Sequence, residues 1–366
     1  MPETHRTMPN QRPELARAQS FCVAHGLRVP ILLAPMAGAC PPALSIAVAN
    51  AGGLGACGAL LMQPAAIKAW AADARAGGNG AFQINLWIPD PPPVRDPAAE
   101  ASTRAFLATW GPDVPPEAGD ATPPDFTAQC EAVLEAGPPI ISSIMGLYPA
   151  EFVARMKARG VRWFATVTTV SEAIAARDAG ADAIVAQGME AGGHRGAFDA
   201  ATAETGMAGL FALLPAVVDA VDIPVIAAGG IADARGIAAA LILGASAVQI
   251  GTGFLRTPEA QIPPPWADAI GRAQPEQTMV TRAFSGRAGR GIATEYARAA
   301  AASGAPPPAP YPVQRALTQR MRDAAVKNHD IHRMQAWAGQ SARMARAEPA
   351  ANVVRVLWHG AMDLLR

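Results

Sequence analysis

Between residues 29 and 254, eight short apolar runs alternate with longer Ala-rich stretches, and this alternation restricts the fold more than any other feature. The runs are VPILLAPM (29–36), GLGACGAL (53–60), AFQINLWI (81–88), PIISSIMG (139–146), VRWFATVT (161–168), ADAIVAQG (181–188), IPVIAAGG (223–230) and SAVQIGTGF (246–254). A strand buried on both faces reads as a nearly continuous apolar run, and parallel neighbours need a covering crossover between them. The intervening segments, among them PALSIAVANAGG, PAAIKAWAADARAGG, AEFVARMKARG, SEAIAARDAGA and DARGIAAALILGA, have helical composition, and several finish in glycine, a common helix stop.

Eight strand–helix units in this span predict an α/β fold of the TIM (β/α)8 type, with an open doubly wound sheet as the alternative. The predicted organisation is an N-terminal extension over 1–24, a barrel over 25–256 and a helical cap over 257–366. Two stretches break the rhythm. The proline-rich segment 90–127 follows the third strand and is expected to form a long loop beside the barrel mouth. Beyond residue 256 the alternation stops, and the tail reads as helices punctuated by SGAPPPAPYP.

Composition narrows the function classes. An apolar share of 51% supplies a large core, whereas zero formal net charge and the lack of a Lys/Arg stripe argue against nucleic acid as a partner. The segment MPETHRTMPNQRPELARAQSF has no apolar signal region, and no run reaches the length of a membrane span, so a soluble cytoplasmic protein is expected. Cys22, Cys40, Cys57 and Cys130 lack metal-ligand spacing and are expected as buried free thiols; the histidines form no zinc motif, so no metal is expected.

In such a barrel the chemistry lies at the C-terminal ends of the strands, and phosphate often sits after the seventh and eighth. Here AAGGIAD (227–233) and GTGFLRT (251–257) occupy those two points, nominating Gly229, Gly230 and Gly251, with a hydroxyl from Thr252. Each glycine pair read alone is equally a tight turn. No GxGxxG follows the first strand, which favours FMN over a dinucleotide. Ala34, Pro35 and Met36 end the first strand, and the carboxamides of Asn85 and Gln187 end the third and sixth, suiting the alternating polar edge of a flavin ring. The sixth strand continues into AIVAQGMEAGGHRG (183–196), where Gly192 and Gly193 precede His194. That histidine reads either as a ligand-facing group or as part of a flexible surface turn.

The segments LLAPMAG, GGLGACG, QINLW, VAQGMEAGGHRG, IPVIAAGGI, AVQIGTGFLRTPEA and AFSGRAGRGI, in this order, resemble the class I nitronate monooxygenases, formerly 2-nitropropane dioxygenases. The similarity spans roughly 25–345 and includes APYPVQRALT and WAGQSARMA. It implies an FMN enzyme that oxidises alkyl nitronates with O2 to a carbonyl compound and nitrite, without a nicotinamide. It places the active-site histidine on His194 and FMN contacts on Pro35, Met36, Asn85, Gln187, Gly192 or Gly193, Gly229, Gly230, Gly251 and Thr252.

A nitronate is already an anion, so His194 either binds its oxygens as a donor or, as a base, deprotonates a neutral nitroalkane. Arg195 is a candidate for added charge, Glu190 for orienting the ring, and Ser285, Arg287 and Arg290 for closing the site. Met145 and Tyr311 are nominated to face substrate. The rival readings are a flavin-dependent NAD(P)H reductase of the enoyl-acyl-carrier-protein or quinone type, and a barrel that binds FMN or a phosphometabolite without redox turnover.

Overall fold

The computed structural model describes residues 12–366; the first eleven residues of the expected N-terminal extension lie outside it. Nine strands occur up to residue 250: β1 (Ile31–Leu33), β2 (Gly55–Gly58), β3 (Phe82–Trp87), β4 (Ile140–Ile144), β5 (Arg162–Val167), β6 (Ala183–Gln187), β7 (Gly193–His194), β8 (Val225–Ala228) and β9 (Ala247–Ile250). All but β7 form one parallel sheet in the order β1-β9-β8-β6-β5-β4-β3-β2. Leu32 bridges Leu54 in parallel, and Leu54 N donates to Ile31 O at 3.0 Å, which brings the sheet edges together as a TIM barrel.

Period-two alternation inside these fully buried strands separates two environments. Ile31, Ile84, Ile184 and Val248 face the covering helices, whereas Leu32, Phe164, Val185 and Ile226 fill the barrel interior. Helix Pro13–His25 closes the N-terminal mouth, with Phe21 and Cys22 packed on that interior cluster. Toward the other mouth the inward positions turn polar, with Gln83, Asn85, Gln187 and Gln249 all buried. All four cysteines are buried and free, and burial pushes the Cys22 thiol up to about 11.

Three features depart from the sequence expectations. The 90–127 segment is not a bare loop, since it carries helix Pro97–Leu107 and a 3-10 turn at Pro116–Asp120. Pro97 opens that helix without losing a hydrogen bond, the Asp96 carboxylate accepts from Ala98 and Ala99 N–H at 3.0 Å, and Leu107 is buried against Phe284, Leu317 and Met321 of the tail. The tail is not purely helical, because β10 (Thr278–Thr281) and β11 (Gly289–Ile292) form an antiparallel sheet with β7. Lastly, helix Ala350–Leu364 is part of the barrel, not of a cap. Its stripe of Val353, Leu357 and Ala361 joins the main core between helices Pro42–Asn50 and Ala234–Ile242, completing the ring of eight covering helices. Among the described residues no helix is long and apolar enough to cross a membrane.

Candidate active site

A cavity of about 490 Å3 opens at the C-terminal ends of the strands. Its wall contains every residue nominated for the cofactor, namely Ala34, Pro35, Met36, Asn85, Gln187, Gly192, Gly193, Gly229, Gly230, Gly251 and Thr252, together with His194.

The glycine clusters are sterically required. Gly229 and Gly230 have φ of +104° and +69°, a region that L side chains rarely enter. A Cβ on Gly192 would lie 2.4 Å from Gly339 N, so the β6 loop and the tail meet backbone to backbone. Thr252 Oγ1 accepts from Gly339 N at 3.0 Å, which leaves its own proton free to donate. This cradle of close backbone and one hydroxyl suits a phosphate, and it lies where the barrel rule locates one.

A second polar set lies deeper. Asn85 Nδ2 donates to Ser142 Oγ at 3.0 Å, leaving its carbonyl oxygen unbonded, and Gln249 Oε1 accepts from Gln83 at 3.1 Å, leaving its amide nitrogen unbonded. An acceptor and a donor on facing strands match the polar edge of an isoalloxazine ring, so the residues present fit FMN. Gln249 was not nominated from the sequence. A carboxamide inside an otherwise apolar strand, two residues before Gly251, was the available signal.

His194 is held from three sides. Its backbone lies in β7, with Gly289 of β11 opposite it. Gln187 Nε2 donates to His194 O at 3.0 Å and Gln187 Oε1 accepts from Gly196 N at 2.8 Å, so this carboxamide braces the loop as well as lining the cavity. The ring packs edge-on to Trp87 and Trp337, with centroids at 4.8 and 5.0 Å. A Cβ on Gly289 would come within 2.9 Å of Trp337 Cη2, so that glycine makes room for the indole. The surface-turn reading of His194 is excluded by this packing.

His194 Nε2 lies 2.8 Å from Ser285 Oγ, which is fully buried and also 3.1 Å from Arg287 O. If the hydroxyl donates to that carbonyl, it accepts from Nε2–H, and Nδ1 of the ring keeps a lone pair. Burial, reinforced by the charges of Arg315 and Arg287, pulls the imidazolium pKa down to about 3, so the ring is neutral at physiological pH.

Other nominated residues are turned to structural work. The Arg195 guanidinium is buried and donates to the carbonyls of Gln187 (2.6 Å) and Gly206 (3.2 Å), away from the cavity, as neighbours in an extended segment point to opposite sides. Glu190 accepts from Leu210 N at 2.9 Å and so caps helix Leu210–Ala220; it does not touch the His194 ring. Arg290 donates to Met189 O and Thr278 Oγ1, while Arg287 pairs with Asp90 at 3.1 Å. Met145 is buried with φ +73° and lies outside the cavity wall, where its neighbour Ile144 stands instead. Tyr311 also lies outside it, stacked on Trp87 at 4.9 Å and facing a neighbouring cleft with Asp90 and Arg287. Flanked by Pro310 and Pro312, Tyr311 is directed onto the Trp87 ring and not into the cavity.

A family model described as nitronate monooxygenase matches residues 21–360. The chain is 38% identical to a nitronate monooxygenase of Paraburkholderia phytofirmans, over 91% of this chain and 92% of the relative. It is 34% identical to a probable nitronate monooxygenase of Staphylococcus aureus, over 90% and 93%. Among solved structures, nitroalkane oxidase from Streptomyces ansochromogenes superposes with a TM-score of 0.84 at 36% identity, covering 93% of this chain and 98% of that one. FabK from Thermotoga maritima superposes with a TM-score of 0.73 at 27% identity, covering 97% and 98%.

Proposed function

Because the chain belongs to the nitronate monooxygenase family, we propose that it binds FMN at the barrel mouth and oxidises alkyl nitronates with O2 to a carbonyl compound and nitrite. The observation that carries this reading is the convergence of the glycine cradle, the Asn85–Gln249 edge and a neutral, braced His194 on one cavity. FMN, when bound, supplies the electron acceptor that no side chain here provides.

The chain's own residues then bind and orient the substrate. Gly229, Gly230, Gly251 and Thr252 hold the phosphate, and Asn85 and Gln249 read the ring edge. Ser285 fixes the tautomer of His194, so that one defined ring nitrogen meets the substrate. Trp87 and Trp337 flank the imidazole and hold its orientation. A neutral ring of such low basicity is poorly matched to removing a carbon-bound proton and well matched to directional contact with an anion that arrives already deprotonated.

The test is anaerobic mixing of the yellow holoprotein with a preformed alkyl nitronate and, separately, with NADH and NADPH. Rapid bleaching by the nitronate alone, followed by nitrite release on admitting oxygen, is the expected result. Bleaching by the nicotinamide in place of the nitronate overturns the reading in favour of a reductase, and a colourless protein that FMN cannot reconstitute overturns it altogether.

A further inference from the structure

With His194 neutral, the site as derived so far contains no charge to offset an anionic substrate. Several arginines surround the cavity, and all but one are committed. Arg195 and Arg290 donate to backbone carbonyls, and Arg287 pairs with Asp90. Arg322 lines the cavity but is engaged with Thr318 Oγ1, Gln335 Oε1, Gln319 Oε1 and Arg315 O at 2.6–3.2 Å.

Arg315 differs from these. It lies on the short helix Val313–Leu317 and lines the cavity on the wall that the tail contributes. Among the described residues its guanidinium makes no hydrogen bond and no ion pair, although the side chain is half-buried. The carboxylate of Asp323, which shares the wall, accepts from Gln319 Nε2 instead. The main-chain carbonyl of Arg315 is gripped by Arg322 at 2.9 Å, so the backbone beneath the free guanidinium is held in place. Arg315 shares the cavity wall with His194, and its positive charge is one of those that keep the ring neutral. Its guanidinium nitrogens are not sealed in the interior but open to the cavity, and a planar guanidinium matches the two oxygens of a planar anion.

We propose that Arg315 is the anion-binding residue of this site, holding the two oxygens of the nitro-group anion while neutral His194 supplies the directional contact. The inference rests on the nitronate reading above for the substrate's identity, but the anion site itself does not. The charge also gives the enzyme a preference: the deprotonated form of a nitro compound is bound and the neutral form is not. That preference is made at Arg315 and not at the histidine.

The experiment compares wild type, Arg315→Gln and Arg315→Lys as flavin-loaded proteins, using steady-state kinetics on an alkyl nitronate and equilibrium titration with nitrate as an inert planar anion. Nitrate binding is read by perturbation of the flavin absorbance and of Trp87 and Trp337 fluorescence. The expected result for Arg315→Gln is a rise in KM of about tenfold or more, with kcat changed by less than threefold, and a parallel weakening of nitrate. Arg315→Lys recovers part of both, because it restores charge without the planar fork. In wild type, nitrate affinity falls as ionic strength rises, and this slope flattens in Arg315→Gln. Unchanged KM and nitrate affinity in Arg315→Gln overturn the proposal, as does a wild-type nitrate affinity independent of salt, which needs no variant to fold. A wild type that binds nitrate through Arg315 yet does not oxidise nitronates overturns the functional reading and leaves the anion site standing.

Discussion

His194 shows how strongly a residue's chemistry depends on its surroundings. In the unfolded chain its imidazole titrates near 6.5; in the fold, burial and the neighbouring cations bring this to about 3. Because the folded pKa is depressed, proton uptake as pH falls from 6.5 toward 3 favours the unfolded state, and the full contribution to stability is present only above 6.5. Turnover of a preformed nitronate is therefore expected to show no inflection near pH 6.5. A profile with such an inflection, lost in His194→Asn, contradicts a neutral ring. The same variant keeps a donor that can reach toward Ser285, so it is expected to retain flavin and fold. Its kcat/KM for nitronates is expected to fall about tenfold or more, through loss of the directional contact that the imidazole makes. An unchanged kcat/KM in this variant argues against that contact.

Elements matter at their ends. The turn after β8 reaches the cavity because Gly229 and Gly230 adopt positive φ, and a Cβ on Gly230 would press on Glu190 Cβ at 3.3 Å. Glu190 in turn caps helix Leu210–Ala220, so one turn serves both the cradle and the helix behind it. Gly230→Val forces a β-branched side chain into left-handed backbone, at a cost of about 1–2 kcal/mol or more. The variant is expected to fold with a modestly lowered Tm and to purify largely without flavin, as measured by the ratio of visible to ultraviolet absorbance. Full occupancy would mean that the phosphate lies elsewhere. The pairing of β7 with β11 has a comparable reach: two residues of strand bind the loop that carries His194 to a segment about 95 positions later.

On the scale of the whole molecule, the barrel separates stability from chemistry along its axis. The N-terminal mouth is sealed by helix Pro13–His25, whose Phe21 is buried near Phe164 with ring centroids 6.1 Å apart. Phe21→Ala is expected to cost about 3–5 kcal/mol through lost burial and the cavity left behind. It should lower the midpoint of chemical denaturation while flavin affinity and KM stay unchanged below that midpoint. A parallel loss of substrate affinity would show that the two ends are coupled. The C-terminal helix Ala350–Leu364 joins the molecule's two extremes, since the chain passes through the active-site wall before returning to complete the barrel.

The eight strands and their parallel order were legible in the sequence because fully buried strands must be apolar and turns at their ends must be glycine-rich; those two signals are local. The same locality explains why Pro35, Asn85, Gly230 and Gly251, nominated at strand ends, line one cavity. Helix Pro97–Leu107 was hidden because its flanking prolines dominate the composition, although Asp96 and Pro97 together are a helix start. Strands β10 and β11 were hidden because residues such as Gly289, Arg290 and Gly291 carry no strand propensity, and they are strands only because β7 lies alongside. Arg195, Arg287, Arg290, Arg315 and Arg322 are indistinguishable as letters. Tertiary packing alone decided which guanidinium meets carbonyls, which meets Asp90, and which is left facing the cavity without a partner among the described residues, because hydrogen-bond satisfaction belongs to the surroundings of a side chain and not to its identity.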